Sequence, residues 1–252
     1  MKNVSLVIPT FNSSYYLTQI LKSKYISFFD EVIISDDFSS EFEYKEIRTI
    51  SKELLSKYGI KNKIMSNNRN LGGFFNKYNG VNEATNELIY QLDTDNLLTK
   101  STIDYLSKFK FKPDTIYLPG KIFLFKNYKQ FNKKIIFTKD KIKFDKSLVQ
   151  DELNGFTNKI YQKNINWVLN VGNQIFLKSN YLEILEKNKI YAQYLEADAY
   201  AQSYFWLKNN LNLEVNAVHS HFHRLRKDSY WNSEGENSIR SVEFYKQSIL
   251  DL

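Results

Sequence analysis

The first 98 residues alternate short apolar runs with segments of helical periodicity, and this order restricts the possible folds more than any other feature of the chain. Strands are predicted at 4–9, 31–37, 63–66 and 88–95, with helical patterns between them. Because parallel strands need crossover helices, the order predicts a Rossmann-like, doubly wound α/β sheet with helices on both faces. In such sheets the binding site lies at the carboxyl ends of the strands.

Acidic side chains stand at the ends of two of these predicted strands. Asp36 and Asp37 end the second strand, and Asp93 and Asp95 end the fourth. On an extended backbone, residues two apart point to the same side, so Asp93 and Asp95 can share a divalent cation, which prefers oxygen ligands. Asp-Thr-Asp-Asn is also good turn chemistry, but two acidic strand ends at one edge of a sheet favour a site.

The composition excludes several classes of site. The 252 residues contain no cysteine, which excludes disulfides and thiolate-bound metals. No apolar run reaches the roughly 18 residues of a membrane span, and nothing near Met1 resembles a signal peptide, so we expect a cytoplasmic protein. The net charge of +7 suggests an anionic partner such as a nucleotide, a nucleic acid or an anionic lipid, although a lysine-rich composition alone gives the same charge.

The rest of the chain continues the α/β pattern without a linker, so we expect one domain over residues 1–252. Alternating polar and apolar residues at 133–144, on both sides of Lys139–Asp140, predict an exposed hairpin. The other predicted elements are helices at 99–110, 196–209 and 236–250 and strands at 115–119, 120–125, 173–177 and 213–223.

Four short motifs follow one another in the first half of the chain. They are VSLVIPTFN at 4–12, VIISDDFS at 32–39, NLGG at 70–73 with Gly80 after it, and LDTD at 92–95. With these motifs in this order, the chain resembles the family 2 glycosyltransferases of the GT-A fold, most strongly over residues 1–98. The resemblance implies a mixed sheet with a nucleotide-binding half at 1–98 and a divergent acceptor-binding half, with a C-terminal flap, at 99–252.

The resemblance also implies how the first half would bind a nucleotide-sugar. The loop after the first strand would flank the base, and Asp37 would hold the base or the ribose. Asp93 and Asp95 would form the DxD motif, with Asp95 the direct ligand of Mn2+ or Mg2+. Lys77 lies where relatives often carry Arg; it could place a cation near the phosphates, or it could belong to a solvated helix face. The residues implied at the nucleotide are Pro9, Thr10, Phe11, Asp37, Asn70, Gly72, Lys77, Asp93, Thr94 and Arg224.

A catalytic carboxylate is implied in the second half. Leu195-Glu196-Ala197-Asp198 occupies the place of the Glu-Asp motif that carries the general base of inverting family members, although Ala197 separates the two acids. Asp198 is the favoured base and Glu196 the second candidate. An inverting transferase needs one carboxylate to take the proton of the attacking acceptor hydroxyl. Acids in the first turn of a helix also suit the helix dipole, which is the alternative explanation.

The acceptor side has three candidates. Val171-Gly172-Asn173 resembles the acceptor-side segment of the family, so Gly172 and Asn173 are expected near the acceptor. Gly172 would let substrate approach the backbone, or would simply form a turn before a strand. Trp231 could stack on a sugar ring.

Every histidine of the chain falls in one short segment. His219, His221 and His223 alternate along a predicted strand, so their rings would share one face. The resemblance implies that one of them completes the metal site; His221 is favoured and His223 is the alternative. Arg224 or Arg226 would then contact the diphosphate.

These features predict an inverting, metal-dependent hexosyltransferase that moves a sugar from a nucleotide donor, with UDP as the expected nucleotide, to a hydroxyl of a growing glycan or lipid-linked saccharide. The family suggests surface polysaccharides such as capsule or lipopolysaccharide, and a basic surface would suit an acceptor at the inner face of an anionic membrane.

Three other functions have some support in the sequence. A catalytically inactive, partner-binding subunit is the main alternative, favoured only by Ala197 inside the acidic motif. Nucleic-acid binding is disfavoured because the aromatic residues fall mostly in apolar runs and no nucleic-acid motif is present. A dinucleotide enzyme is disfavoured because no G-x-G-x-x-G follows the first strand.

Overall fold

A computed structural model describes residues 3–125, 131–136, 140–154, 168–192 and 198–224. Four expectations lie outside these residues: Glu196 as the second candidate base, Trp231 at the acceptor, Arg226 at the diphosphate and a helix at 236–250.

Nine strands and seven α-helices form the described part of the chain. The strands are β1 Val4–Thr10, β2 Glu31–Asp36, β3 Lys61–Ser66, β4 Leu88–Gln91, β5 Thr115–Phe125, β6 Phe131–Ile136, β7 Lys141–Phe144, β8 Gln174–Leu177 and β9 Asn212–Arg224. The helices are α1 Ser14–Leu21, α2 Glu41–Ser56, α3 Gly73–Glu83, α4 Lys100–Lys108, α5 Lys146–Asn154, α6 Lys178–Ala192 and α7 Asp198–Lys208, and a short 3-10 helix spans Ile26–Phe28.

One mixed sheet runs through the molecule in the order β3-β2-β1-β4-β8-β5-β9-β7, with β6 paired to β5. The first four strands are parallel, and β8 runs antiparallel to both β4 and β5. The predicted mixed α/β sheet is therefore confirmed. Because β1, β2 and β4 end side by side, their carboxyl ends meet at one edge, where the acidic motifs lie.

Helices cover both faces of the sheet. On one face α1, α2 and α4 pack on Val4, Leu6 and Ile8 of β1. On the other face α3, α6 and α7 pack on Val7 and its neighbours. This two-sided burial explains why the first strands read as continuous apolar runs. Among the described residues, none of the helices combines the length and the apolar character that a membrane span requires.

The predicted hairpin at 133–144 is wrong. β6 pairs with the second half of β5, whereas β7 pairs antiparallel with the first half of β9. Alternation along a strand shows which side chains share a face, but it does not identify the partner strand. The two segments therefore resemble a hairpin in sequence, but each pairs with a different strand.

The prediction of two strands at 115–119 and 120–125 is also wrong, because β5 continues through Gly120. Its register with β9 shifts between Pro119 and Lys121. A β-carbon at Gly120 would lie 2.5 Å from the carbonyl oxygen of Asn216, so glycine lets β9 approach at the bulge.

A buried carboxylate joins the amino ends of the first strands. The side chain of Glu31 is 3% exposed and accepts hydrogen bonds from Ser5 Oγ at 2.5 Å and from the backbone nitrogen of Thr85 at 2.7 Å. Burial alone would raise the pKa of Glu31, but these hydrogen bonds outweigh it, so the pKa lies below its ordinary value.

Replacing Glu31 with Gln should lower the free energy of unfolding near neutral pH by about 1–3 kcal/mol, because donors of Ser5 and Thr85 bond both carboxylate oxygens and Gln keeps only one acceptor oxygen. A lowered carboxyl pKa stabilises the fold above the unfolded-state value of about 4.3 and loses this effect as acid protonates the group. Urea unfolding near neutral pH and at about pH 4 should therefore show a smaller acid loss in the variant than in the wild type. The exposed Glu53→Gln is the matched control, and equal acid losses in wild type and variant would contradict this role for Glu31.

Candidate functional site

A cleft of about 230 Å3 opens at the carboxyl ends of β1, β2 and β4. It brings together the predicted nucleotide residues, except Arg224, with Asp95 and Asp198. Ser13, Gly73 and Asn76 also line it and were missing from the predicted set. The lining residues are Pro9, Thr10, Phe11, Ser13, Asp37, Asn70, Gly72, Gly73, Asn76, Lys77, Asp93, Thr94, Asp95 and Asp198.

Asp37 fixes the loop that leads into α3. Its Oδ1 accepts hydrogen bonds from the Leu71 nitrogen and Asn67 Nδ2, both at 2.8 Å, and its Oδ2 accepts one from the Gly72 nitrogen at 2.8 Å. Burial raises the pKa of Asp37, and these hydrogen bonds offset part of the rise. Gly72 has a φ of +82°, a conformation that favours glycine. The carboxylate therefore shapes one wall of the cleft as well as lining it.

Asn76 connects this wall to the first two strands. Its side chain is buried in the cleft floor, where Nδ2 donates to the carbonyl oxygen of Ser35 at 2.9 Å and Oδ1 accepts from Ser35 Oγ at 2.7 Å. One turn further on, a β-carbon at Gly80 would lie 2.8 Å from Val7 Cγ1, so this face of α3 lies directly on the sheet. The spacing of Gly73, Asn76 and Gly80 along one helix face could have identified this face from the sequence.

Several residues hold the turn that carries Asp93 and Asp95, which we call the acidic turn. Asn173 Oδ1 accepts hydrogen bonds from the Asp93 nitrogen and from Asn96 Nδ2, both at 3.1 Å. The hydroxyl of Thr94 donates to the carbonyl oxygen of Pro9. Asn173 is 0% exposed, so its expected contact with an acceptor is wrong, and its side chain instead organises the acidic turn.

Arg224 holds the same turn from the other side. Its Nε donates to the Asp95 carbonyl oxygen at 3.0 Å, and its guanidinium lies 4.8 Å and 4.6 Å from the ring centroids of Tyr16 and Phe125. A further nitrogen donates to Gln19 Oε1 at 2.7 Å. Because Arg224 is 7% exposed and does not line the cleft, the structure corrects its predicted contact with the diphosphate to a contact with the turn.

A buried lysine joins the acidic turn to the predicted base. Lys77 is 3% exposed, and its Nζ lies 2.9 Å from Asp93 Oδ1 and 2.5 Å from Asp198 Oδ2. Burial alone would lower the pKa of Lys77, but the charges of Asp198 and Asp93 outweigh it and raise the pKa above its ordinary value. The solvated-face interpretation of Lys77 is therefore wrong. Asp198, the first residue of α7, faces the cleft with its side chain 20% exposed.

Two glycines leave the space that these carboxylates occupy. A β-carbon at Gly73 would lie 2.7 Å from Asp198 Oδ2, and one at Gly172 would overlap Asp93 Oδ2. The carbonyl oxygen of Gly172 also accepts a hydrogen bond from Gln91 Nε2 at 3.2 Å. Gly172 therefore admits the side chain of Asp93, whereas the sequence suggested a substrate or a simple turn at this position.

The three histidines do not share one environment. His219 stacks on Tyr105, with ring centroids 5.4 Å apart, and burial lowers its pKa to about 3. The rings of His221 and His223 lie 5.8 Å apart, beyond the register shift of β9. Burial lowers the pKa of both, and only for His223 does the nearby charge of Asp93 oppose that effect. The shared face of the three imidazoles stays a prediction, and His223 is the one of the three whose pKa the charge of Asp93 raises.

The predicted set of four metal ligands is not assembled. Among the described residues, no group of three or more His, Asp or Glu side chains is placed to hold a metal ion, and His221 is only 2% exposed. The two motif acids, Asp93 and Asp95, do line one cleft. Two carboxylates fit Mg2+ or Mn2+ when substrate phosphates and water supply the other ligands, which is the common arrangement for Mg2+ at phosphate sites.

Solved structures of glycosyltransferases share this fold. TarS 1–349 of S. aureus, in complex with UDP-GlcNAc, is 17% identical with a TM-score of 0.66, over 100% of this chain and 67% of that one. GalNAc-T7 with UDP, GalNAc and Mn2+ is 15% identical with a TM-score of 0.58, over 99% and 50%. The mannosyltransferase PcManGT of Pyrobaculum calidifontis, with GDP-Man and Mn2+, is 15% identical with a TM-score of 0.56, over 90% and 58%. The chain thus spans about half to two thirds of these relatives, and at such identities the likeness shows the fold alone.

The sequence gives a more direct assignment than these structural likenesses. No curated protein sequence matches the chain. Residues 5–181 match the model of glycosyl transferase family 2, which confirms the resemblance carried by the four motifs. Because this match covers well over half of the 252 residues, the chain belongs to glycosyl transferase family 2 and has the GT-A fold of that family.

Proposed function

We propose that this chain is an inverting, metal-dependent glycosyltransferase that moves a sugar from a UDP-sugar to a hydroxyl of a growing surface glycan or lipid-linked saccharide. One observation carries the proposal: the two acids of the motif and a separate carboxylate, Asp198, line the same cleft. Asp93 and Asp95 would hold a cation for the donor diphosphate, and Asp198 would take the proton of the acceptor hydroxyl.

The donor side of the proposal rests on the wall built by α3 and the acidic turn. Pro9, Thr10 and Phe11 line the cleft and would flank the base, while Asp93 and Asp95 line it as well and would hold a divalent cation. When bound, that cation would supply the positive charge that neutralises the charge developing on the leaving diphosphate. UDP-GlcNAc and Mn2+ in the structures of distant relatives support this choice of donor and metal.

Asp198 is the residue that would act as the general base in the transfer step. Its carboxylate would take the proton of the acceptor hydroxyl as that oxygen attacks the anomeric carbon. The bond from the anomeric carbon to the diphosphate oxygen breaks, and the leaving nucleoside diphosphate keeps the electron pair. Attack on the face opposite the leaving group inverts the anomeric configuration. One base is sufficient for this step, so the mechanism does not depend on Glu196.

The net charge of the chain bears on the choice of acceptor. A net charge of +7 is compatible with an acceptor carried on a lipid diphosphate at the cytoplasmic face of an anionic membrane. Capsule and lipopolysaccharide are the surface glycans that we expect.

A turnover assay tests the proposed activity. The protein is incubated with a panel of UDP-sugars and lipid-linked saccharides, with Mn2+ or with a chelator, and release of UDP is measured. We expect Mn2+-dependent release with at least one pair, and NMR of the product should show an inverted anomeric centre. Folded protein that binds UDP but never releases it from a UDP-sugar would instead favour an inactive, partner-binding subunit. A retained anomeric configuration would contradict the role of Asp198.

The two glycines beside the carboxylates provide a paired prediction. Gly172→Ala should displace Asp93 and weaken Mn2+-dependent UDP binding, whereas Gly73→Ala should displace Asp198 and slow transfer by about 10²-fold with UDP binding kept. Calorimetry and the turnover assay measure the two effects separately. Gly59→Ala is the control for backbone strain away from the cleft, because Gly59 has a φ of +63° and a β-carbon there meets no atom within 4 Å. Identical effects of the Gly172 and Gly73 variants on binding and on turnover would contradict the division of roles.

A further inference from the structure

We propose that Lys77 is a positioning residue for the transfer step: its ammonium holds the base Asp198 against the donor-binding acid Asp93. The inference rests on the proposed function. It differs from the sequence expectation, in which the cation of Lys77 would serve the donor phosphates directly.

The Nζ atom of Lys77 contacts side chains from two other elements of the fold. Lys77 is on α3, Asp93 follows β4, and Asp198 begins α7. Their contacts to Nζ, at 2.9 Å and 2.5 Å, are short enough for charge-assisted hydrogen bonds. The distance between the proposed base and the proposed metal ligand is therefore set through a single side chain.

The three side chains differ in their exposure to solvent. Lys77 is 3% exposed, while the side chains of Asp93 and Asp198 keep 30% and 20% of their surface open to the cleft. The lysine thus exposes much less surface to the cleft that it lines than the two carboxylates do. A buried ammonium is strongly disfavoured without anionic partners, so the charge of Lys77 depends on these two acids.

The surrounding backbone keeps both acids on this nitrogen. Gly73, one turn before Lys77 on α3, leaves room for Asp198 Oδ2, and Gly172 leaves room for Asp93 Oδ2. Behind Gly172, Gln91 lies within 3.4 Å of Gln202, one turn after Asp198 on α7. The side-chain amide of Gln91, which contacts both Gly172 and Gln202, therefore links the helix that carries Asp198 to the strand that precedes Asp93.

Two roles for Lys77 make different kinetic predictions. A phosphate ligand contributes to donor binding, so its loss should weaken UDP affinity. A positioning residue acts through Asp198, so its loss should lower kcat and should add little once Asp198 is already gone, because residues that act as a unit are not additive.

A double-mutant cycle separates these roles. Lys77→Met, Asp198→Asn and the double variant are compared with wild type for kcat with a UDP-sugar and acceptor, and for UDP affinity with Mn2+ by calorimetry. We expect Lys77→Met alone to lower kcat by about 10²-fold and to change UDP affinity by less than about fivefold. In the Asp198→Asn background, the second substitution should lower kcat by less than about threefold.

Charge-conserving and surface controls complete the experiment. Lys77→Arg keeps the cation and should recover a substantial part of kcat, and Lys77→Gln replaces the Met variant if that one does not fold. Lys63→Met removes an exposed lysine that pairs with Glu83 and should leave kcat unchanged.

Additive losses in the cycle, or lost UDP affinity at unchanged kcat, would overturn the positioning role. An inactive wild type would instead contradict the proposed function, so the two failures are distinguishable.

Discussion

Replacement of Asp198 by Asn should slow sugar transfer by about 10²–10⁴-fold, because the acceptor hydroxyl then loses the group that takes its proton. UDP binding should be retained, since the acidic turn and the loop fixed by Asp37 form the donor side of the cleft. This is one of the two largest effects expected from the structure. The turnover assay and calorimetry with Mn2+ measure the two quantities on the same preparation.

The control for this substitution is Asp104→Asn. Asp104 pairs with Lys100 on the exposed surface of α4, so its loss removes a carboxylate without touching the cleft. A near-normal rate for Asp198→Asn would reject Asp198 as the base. It would turn attention to Glu196, which lies outside the described residues.

Replacement of Asp95 by Ala should weaken Mn2+-dependent UDP binding by about 10²–10³-fold, because a residue that would hold the cation is lost and the diphosphate charge is then less well neutralised. The carbonyl oxygen of Asp95 is held by Arg224, so the backbone of the turn should persist after the side chain is removed. Binding of UDP without metal should change little, which separates a lost ligand from a collapsed cleft.

Asp104→Ala provides the matched control for Asp95→Ala, again outside the cleft. Titration of UDP in the presence of Mn2+ and in the presence of a chelator gives both affinities for each variant. An affinity with Mn2+ equal to that of the wild type would show that Asp95 is not a metal ligand.

The first half of the chain could be predicted from the sequence because its signals are local. Strands buried on both faces give continuous apolar runs, and the acids follow them directly in the chain. Asp37, Asp93 and Asp95 therefore fell at one sheet edge as expected, and the cleft lined by them was found there.

The second half was harder to predict because its pairings join distant segments. The alternating pattern of β6 and β7 gives no information on which strand each one joins, so the predicted hairpin was wrong. The surroundings of His219 could not be predicted for a similar reason, since Tyr105, which stacks on its ring, lies on the distant helix α4.

The sequence does not show whether a polar residue beside a motif faces a ligand or the protein interior. Asn173 and Arg224 were expected at substrates and were found holding the acidic turn. Lys77 was expected near phosphates or on a solvated helix face, whereas its contact with Asp198 depends on how α3 and α7 pack. Such contacts follow from the assembled fold and leave no pattern in the local sequence.

Calorimetric titration of the wild-type protein with UDP, GDP and dTDP, each with Mn2+ and with a chelator, tests the central claim most directly. The proposal that this cleft binds a nucleotide-sugar through its acidic turn predicts tight binding of UDP that requires the metal and is lost in Asp95→Ala. Absence of binding by all three nucleotides, in protein that is folded, would contradict it.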